Sequence, residues 1–327
     1  MAHEIENNMI SYKNETPWHG LGFRVDPNAT GAEMLVAAGL NWKVNRRALA
    51  MRGMDGQTLL AEPLKDYKAI VRSDNDVVFC VPTARYNVVQ NDQIVDLFRE
   101  YCEAGHASME TVGGIRNGAV VWALAKLNGG SEATLKGGDK LTGYVLMSTS
   151  HDGSLATTAK ATQVRVVCNN TLTAALQGGA EFKMRHSSKW TTERAEEAKE
   201  ALGIAMQQIQ KINKVSEKLS NVNIDHSDWL EFMGKLLGGN DAVIDPKSAQ
   251  LTRMAQDIQD ATVMSPGSNL ESAKGTLWGA VNGVTYFADH QRGRTQDTRL
   301  ASAWFGSSDV LKRTAVNVAL ELAGITA

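Results

Sequence analysis

In residues 141–176 a hairpin pattern of hydrophobic and polar positions runs straight into a helical one. Tyr144, Val145, Leu146 and Met147 predict a strand, His151-Asp152-Gly153-Ser154 its turn, and 155–161 the return strand. Asp-Gly at the centre supplies the positive φ that a tight type I′ hairpin needs. Beyond it, Val164, Val166, Val167 and Leu172 lead through Asn169 and Asn170 toward Leu176, before Gly178-Gly179. That spacing predicts a helix entered through the paired asparagines, which either cap it or bind a backbone directly.

Upstream, Thr30 is placed to cap a short helix with Met34, Leu35 and Ala38 on one face, stopped by Gly39. Short strands are expected at 41–50 and 59–64, and again at 68–71 and 77–81 around Ser73-Asp74-Asn75-Asp76. A helix follows from Asn91, with Ile94, Val95, Leu97, Phe98 and Tyr101 on its apolar side. Strands at 109–115 and 119–127 flank Arg116-Asn117-Gly118, whose Asn-Gly pair is the strongest short hairpin signal. A Gly-rich loop is expected at 128–140. Tight turns rather than helical crossovers join these strands, so the predicted fold class is α+β. An antiparallel, hairpin-rich sheet with helices fills the N-terminal half, and the C-terminal half is helical.

After Gly178-Gly179 the period becomes helical. A long helix is expected at 191–221, with glutamates in its first turns and lysines in its last, as the helix dipole favours. Its narrow, Ala-rich stripe suits close packing on a partner helix, within the chain or across an oligomer seam. Shorter helices are expected at 228–237, 248–261, 270–288 and 308–323, with Trp229, Phe232, Trp278, Phe287 and Trp304 supplying core. The resulting division is an N-terminal arm (1–40), an α+β core domain (41–180) and a helical region (181–327).

Composition narrows the class. The 327 residues are 43% hydrophobic, ordinary for a soluble globular chain. No apolar run approaches the roughly 20 residues of a membrane helix, and residues 1–14, with Glu4 and Glu6, do not read as a secretory signal. Cys80, Cys102 and Cys168 are odd in number and far apart, which fits reduced thiols and a cytoplasmic location. A net charge of −2 excludes a general polyanion binder, yet the cations cluster. Eight of them face five acids between Trp42 and Tyr86, and five face one between Leu155 and Trp190. A local basic groove is enough to bind nucleic acid, because only the contacted phosphates need neutralising.

Catalytic signatures are few. The sequence has no Gly-x-x-x-x-Gly-Lys phosphate loop, no Gly-x-Ser-x-Gly elbow and no His-Glu-x-x-His helix. The seven histidines are isolated, so neither metal nor cofactor is expected. Asp289-His290-Gln291-Arg292 is the one cluster suited to phosphodiester chemistry. It lacks clustered carboxylates for magnesium, and a helix C-terminus explains its His and Arg, so no catalytic residue is assigned and no enzyme is expected.

Five motifs carry a resemblance. They are Pro17-Trp18-His19-Gly20-Leu21-Gly22, Arg165-Val166-Val167-Cys168-Asn169-Asn170-Thr171-Leu172, Gly275-Thr276-Leu277-Trp278-Gly279-Ala280-Val281-Asn282, Asp289-His290-Gln291-Arg292 and Trp304-Phe305-Gly306. In that order they resemble the phage- and plasmid-related proteins grouped as domain of unknown function 932, which implies a mobile-element setting and names no activity. The order of hairpin, helix, strand meander and closing helix is similar to the core of single-strand annealing proteins, which grip nucleic acid in a basic groove and form rings or filaments. That similarity implies a homo-oligomeric single-stranded DNA-binding protein acting in annealing, recombination or replication, with no membrane partner. Lys160, Arg165, Asn169 and Asn170 are the first expected contacts, joined by Arg46, Arg47, Lys68, Arg72 and Arg85. Trp18, Tyr86, Trp122 and Trp190 are the candidate base-stacking platforms. The alternative is a protein-binding module of a mobile element, an inhibitor of host defence or an assembly factor.

Overall fold

The structure, a computed structural model, describes residues 9–14, 22–55, 58–103, 105–167, 170–173, 182–238, 243–245, 250–293 and 296–325. The first half of the chain runs β1 (Ile10–Tyr12), β2 (Phe23–Arg24), α1 (Gly31–Ala37), β3 (Val44–Asp55), β4 (Thr58–Arg72), β5 (Val78–Cys80), α2 (Asn91–Glu103), β6 (Ala107–Ile115) and β7 (Val120–Leu127). It continues through β8 (Ala133–Leu135), β9 (Asp139–Ser150), β10 (Thr157–Arg165), β11 (Asn170–Thr173) and β12 (Phe182–Met184). The remainder is α3 (Thr192–Ser220), α4 (His226–Leu237), β13 (Val243–Asp245), β14 (Gln250–Leu251), α5 (Arg253–Met264), α6 (Leu277–Tyr286), α7 (Gln296–Phe305) and α8 (Ser307–Leu322). The fold is α+β, rich in antiparallel strands, with helices dominating the C-terminal half. Among the described residues no helix is long and apolar enough to cross a membrane.

Two compact units, each built from three stretches of chain, share these elements. The first comprises Met1–Ala125, Leu146–Ala159 and Glu181–Leu202; the second comprises Lys126–Val145, Lys160–Ala180 and Gly203–Ala327.

In the first unit β7, β6, β1 and β2 lie side by side in that order. Thr30 caps α1 through a capping box with Glu33, as its sequence position suggests. Both α1 and α2 pack on β6, over a core that includes Met34, Ile94, Phe98, Ile115 and Trp122. The β6–β7 hairpin turns through Arg116 and Asn117, both with positive φ, so the Asn-Gly signal does what it promises. A separate three-stranded sheet, β3-β4-β5, completes this unit.

In the second unit β8 pairs with the start of β9, and β11 with the end of β10. The helix α6 is buried all round, which its sequence permits because Gly279 and Gly283 present no side chain. A Cβ at Gly279 would come within 1.9 Å of the Ala273 carbonyl oxygen, and one at Gly283 within 1.9 Å of Thr262 Oγ1 on α5. Only glycine allows that approach.

Several local expectations are corrected. The helix expected after the paired asparagines is not present in residues 170–173, which form β11, with Arg165 opposite Asn170 and Thr162 opposite Thr173. Thr171 and Thr173 are β-branched and favour a strand. Residues 59–64 and 68–71 belong to one strand, β4, rather than two. The Gly-rich stretch 128–140 folds into β8 and the start of β9 instead of staying a loop. At the 151–154 turn only Gly153 has positive φ, and Asp152 Oδ1 accepts the Ser154 amide at 2.9 Å, an Asx-type turn that is wider than type I′. The helix expected from 270 begins only at Leu277, where Thr276 is the N-cap, and α7 appears where no helix is expected.

Candidate nucleic-acid interface

The β3–β4 pair is regular from Val44 opposite Arg72 to Ala48 opposite Lys68, then jumps to Leu49 opposite Leu64. Lys65, Asp66 and Tyr67 are therefore looped out of the β3 ladder. The segment finds a second partner instead. Tyr67 bridges Thr83, the Ala84 amide donates to the Asp66 carbonyl at 2.8 Å, and the Lys68 amide donates to the Pro82 carbonyl at 3.2 Å. This irregularity re-aims side chains, as bulges do.

Its result is a local cluster. Tyr67 is 45% exposed, and Lys65 beside it is exposed. The pairing of Arg46 with Ile70 puts Arg46, Lys68 and Arg72 on one face of the ribbon. The Arg46 guanidinium reaches across to the Ala84 carbonyl, next to the exposed Arg85. Glu62 and Asp66 are also exposed here, so Tyr67 and Lys65 belong to a surface of mixed charge. Arg47 points from the opposite face and pairs with Asp76 at 2.6 Å. Arg72 is committed elsewhere. It grips Asp74 through Nε and Nη2 at 2.7 and 2.8 Å, lies 4.5 Å over the Trp42 ring, and donates to the Asn117 carbonyl. The Arg72 side chain holds the Asp74 carboxyl below its ordinary range.

The motif residues occupy a different environment, inside the second unit. Arg165 is 2% exposed, and its Nε lies 2.8 and 2.9 Å from the two Asp139 oxygens while Nη2 donates to the Gly267 carbonyl. Asp139 also accepts Ser272 Oγ at 2.7 Å and Trp278 Nε1 at 3.1 Å. The Asn170 amide donates to the Asn282 carbonyl and to Thr285 Oγ1 on α6. Lys160 is buried, donates to the Trp304 carbonyl and sits 3.7 Å from Asp309. Asp289 Oδ2 accepts the Thr171 amide at 2.6 Å and its hydroxyl at 2.9 Å, and Oδ1 accepts Lys312 Nζ at 2.7 Å. Lys312 is fully buried and donates twice more to Thr171.

These placements correct the site assignment. Lys160, Arg165 and Asn170 point inward and spend their donors on protein acceptors, so none presents charge or amide to a phosphate; Asn169 lies outside the described residues. Asp289 is likewise saturated, and His290 stacks on Tyr286 at 4.5 Å. A carboxylate with every donor it needs holds structure rather than moving protons. Of the stacking candidates, Trp122 and Tyr86 are buried, Trp190 is half-buried edge-on to Phe182, and Trp18 is outside the described residues. Tyr67 and Lys65 were legible as the Lys65-Asp66-Tyr67-Lys68 run, a cation–aromatic–cation pattern that a count of cations alone passes over. Among the described residues no group of His, Cys, Asp and Glu could hold a metal ion.

No curated protein and no solved structure matches this chain. Residues 78–304 match the model of a family described as domain of unknown function (DUF932). That span contains Arg165, Asn170, Trp278, Asn282 and Asp289, the residues that build the buried polar core. The chain belongs to the DUF932 family.

Proposed function

We propose that the protein binds single-stranded nucleic acid on the β3-β4-β5 sheet, with Tyr67 stacking a base and Lys65, Lys68, Arg46 and Arg85 meeting phosphates. The observation that carries this reading is the exposed Tyr67 side chain in a looped-out segment that also carries the exposed Lys65, an aromatic and a cation together as in non-specific single-strand binders. The setting we propose is annealing, recombination or replication of a phage or plasmid in the host cytoplasm, with the protein acting as a homo-oligomer. The mobile-element resemblance of the motifs supports it.

Fluorescence anisotropy of labelled single- and double-stranded oligonucleotides at two salt concentrations tests it. A preference for the single strand, with a log–log salt slope of about −0.7 per phosphate contacted, is expected. Absence of binding at low salt discards the reading.

A second reading, a protein-binding module, draws on one feature of the same sheet. Val77, Val78 and Val81 are all exposed along β5 and its ends. Capture of a host protein that Val78→Lys abolishes, with nucleic-acid binding absent, would favour it.

A further inference from the structure

A cleft of about 520 Å³ opens in the first unit between the ends of β1 and β6, the start of α1 and one side of α2. Its volume falls in the range of small-molecule sites, roughly 300–1,000 Å³. Buried Ala29, Val95, Ala107 and Met109 give it an apolar floor.

Four charged groups ring that floor. Lys13 follows β1, and Asp96, Arg99 and Glu103 come from α2 at spacings of three and four, hence from one helix side. Among the described residues none of the four forms an ion pair or a side-chain hydrogen bond. Glu110, by contrast, is engaged by Asn14 Nδ2 at 3.0 and 3.2 Å. The Cys102 side chain also lines the cleft. Burial holds that thiol above its usual range, with Lys13 opposing the shift and Glu103 adding to it.

We propose that this cleft is a binding site for a zwitterionic small molecule with an apolar body, of which a free α-amino acid is the simplest member. Lys13 and Arg99 take the carboxylate, Asp96 and Glu103 take the ammonium, and Val95 and Met109 take the side chain. A ligand carrying only one charge meets repulsion from the opposite pair, whereas a zwitterion satisfies both pairs at once. The site shares no residue with the β3-β4-β5 sheet, so its test is separate from that of nucleic-acid binding.

Isothermal titration of the full chain with leucine and with phenylalanine reads the site directly. Leucinamide and isocaproate, each lacking one charge, are the controls. Saturable binding of the amino acids is expected, with each control at least about tenfold weaker, the loss of one charge-assisted hydrogen bond. Arg99→Ala leaves Lys13 as the one partner of the carboxylate and should narrow the gap between leucine and leucinamide severalfold. Arg99 is exposed, so the variant keeps its fold, and an unchanged thermal transition verifies this. No saturable binding of either amino acid, equal affinity for leucine and its controls, or a gap between leucine and leucinamide as wide in Arg99→Ala as in wild type would each overturn the proposal.

Discussion

The β3-β4-β5 sheet and the polar core of the second unit are both rich in Arg and Lys, and they use them in opposite ways. On the sheet, Arg46, Lys65 and Arg85 are exposed, and among the described residues no carboxylate holds them in an ion pair. In the core, Arg165 and Lys312 are buried and each faces a carboxylate, Asp139 and Asp289. The difference teaches that density of cations in sequence does not locate a phosphate-binding surface. A buried cation is tolerable only when a counter-charge and hydrogen bonds offset its desolvation, and those same partners take it out of reach of a ligand.

The largest effects should come from breaking the core. Lys312→Met leaves Asp289 buried beside Thr171 without its cation, and a loss of about 3–5 kcal/mol in unfolding free energy is expected from denaturant titration. Lys65→Met, the same change on the exposed sheet, should cost no more than about 0.5 kcal/mol. Combining Lys312→Met with Asp289→Leu should recover part of the loss, because no unpaired charge then remains. Equal costs for the two lysine replacements would erase the contrast between the regions.

How much of this was legible follows from which forces are local. Thr30 as a cap, Arg116-Asn117-Gly118 as a turn and the long α3 helix are set by neighbouring residues, and the sequence shows them. The class, α+β with a helical C-terminal half, follows from such signals added together. Asn170 is different, since an asparagine before an apolar run reads as a cap. Its partners, Asn282 and Thr285, are more than a hundred residues away, and nothing local announces them. Arg165 failed as a phosphate contact for the same reason, because Asp139, Ser272 and Trp278 converge only on folding. The looped-out Lys65-Asp66-Tyr67 segment depends on a register shift that no dipeptide signals.

Acid should act through a third kind of site, neither charged nor exposed. His151 forms a three-ring cluster with Trp42 and Phe79, each 5.6 Å away, and its Nε2 meets Asn91 Oδ1 at 2.8 Å. Burial pushes its pKa down from 6.5 to about 3; His186 adds to the shift and Asp152 opposes it. The Cys80 thiol, donating to the His151 carbonyl, is itself pushed up to about 11 by burial. Between pH 6.5 and 3 the unfolded chain binds a proton that the folded chain does not. Stability from neutral His151 is therefore complete above pH 6.5 and falls with pH across that window, by up to about 1.4 kcal/mol per pH unit. His151→Gln should flatten this dependence between pH 6.5 and 5, measured as the difference in unfolding free energy from wild type. An identical slope in the variant would assign the acid sensitivity to carboxylates elsewhere.

Tyr67→Ala should separate binding from folding. Losing a stacking platform costs about 1–3 kcal/mol of single-strand affinity per base, while an exposed ring contributes little to stability. Trp122→Ala inverts this, since that ring is buried, and about 3–5 kcal/mol of stability should go with it. Unchanged affinity in Tyr67→Ala would remove the ring from the interface.

A small effect is also expected at Arg47, which lies on the opposite face of the ribbon and already has a partner. Its ion pair with Asp76 is exposed on both sides, 50% and 67%, so Arg47→Ala should change stability by less than about 1 kcal/mol. Its value is in placing the strand. A nucleic acid that follows only the face of Arg46 and Lys68 leaves the salt slope of Arg47→Ala equal to wild type. One that wraps the ribbon edge loses a phosphate contact, and the slope falls by about 0.7. Asp76→Asn then distinguishes the cases from the other direction, because it releases Arg47 and strengthens binding only if the strand passes within its reach.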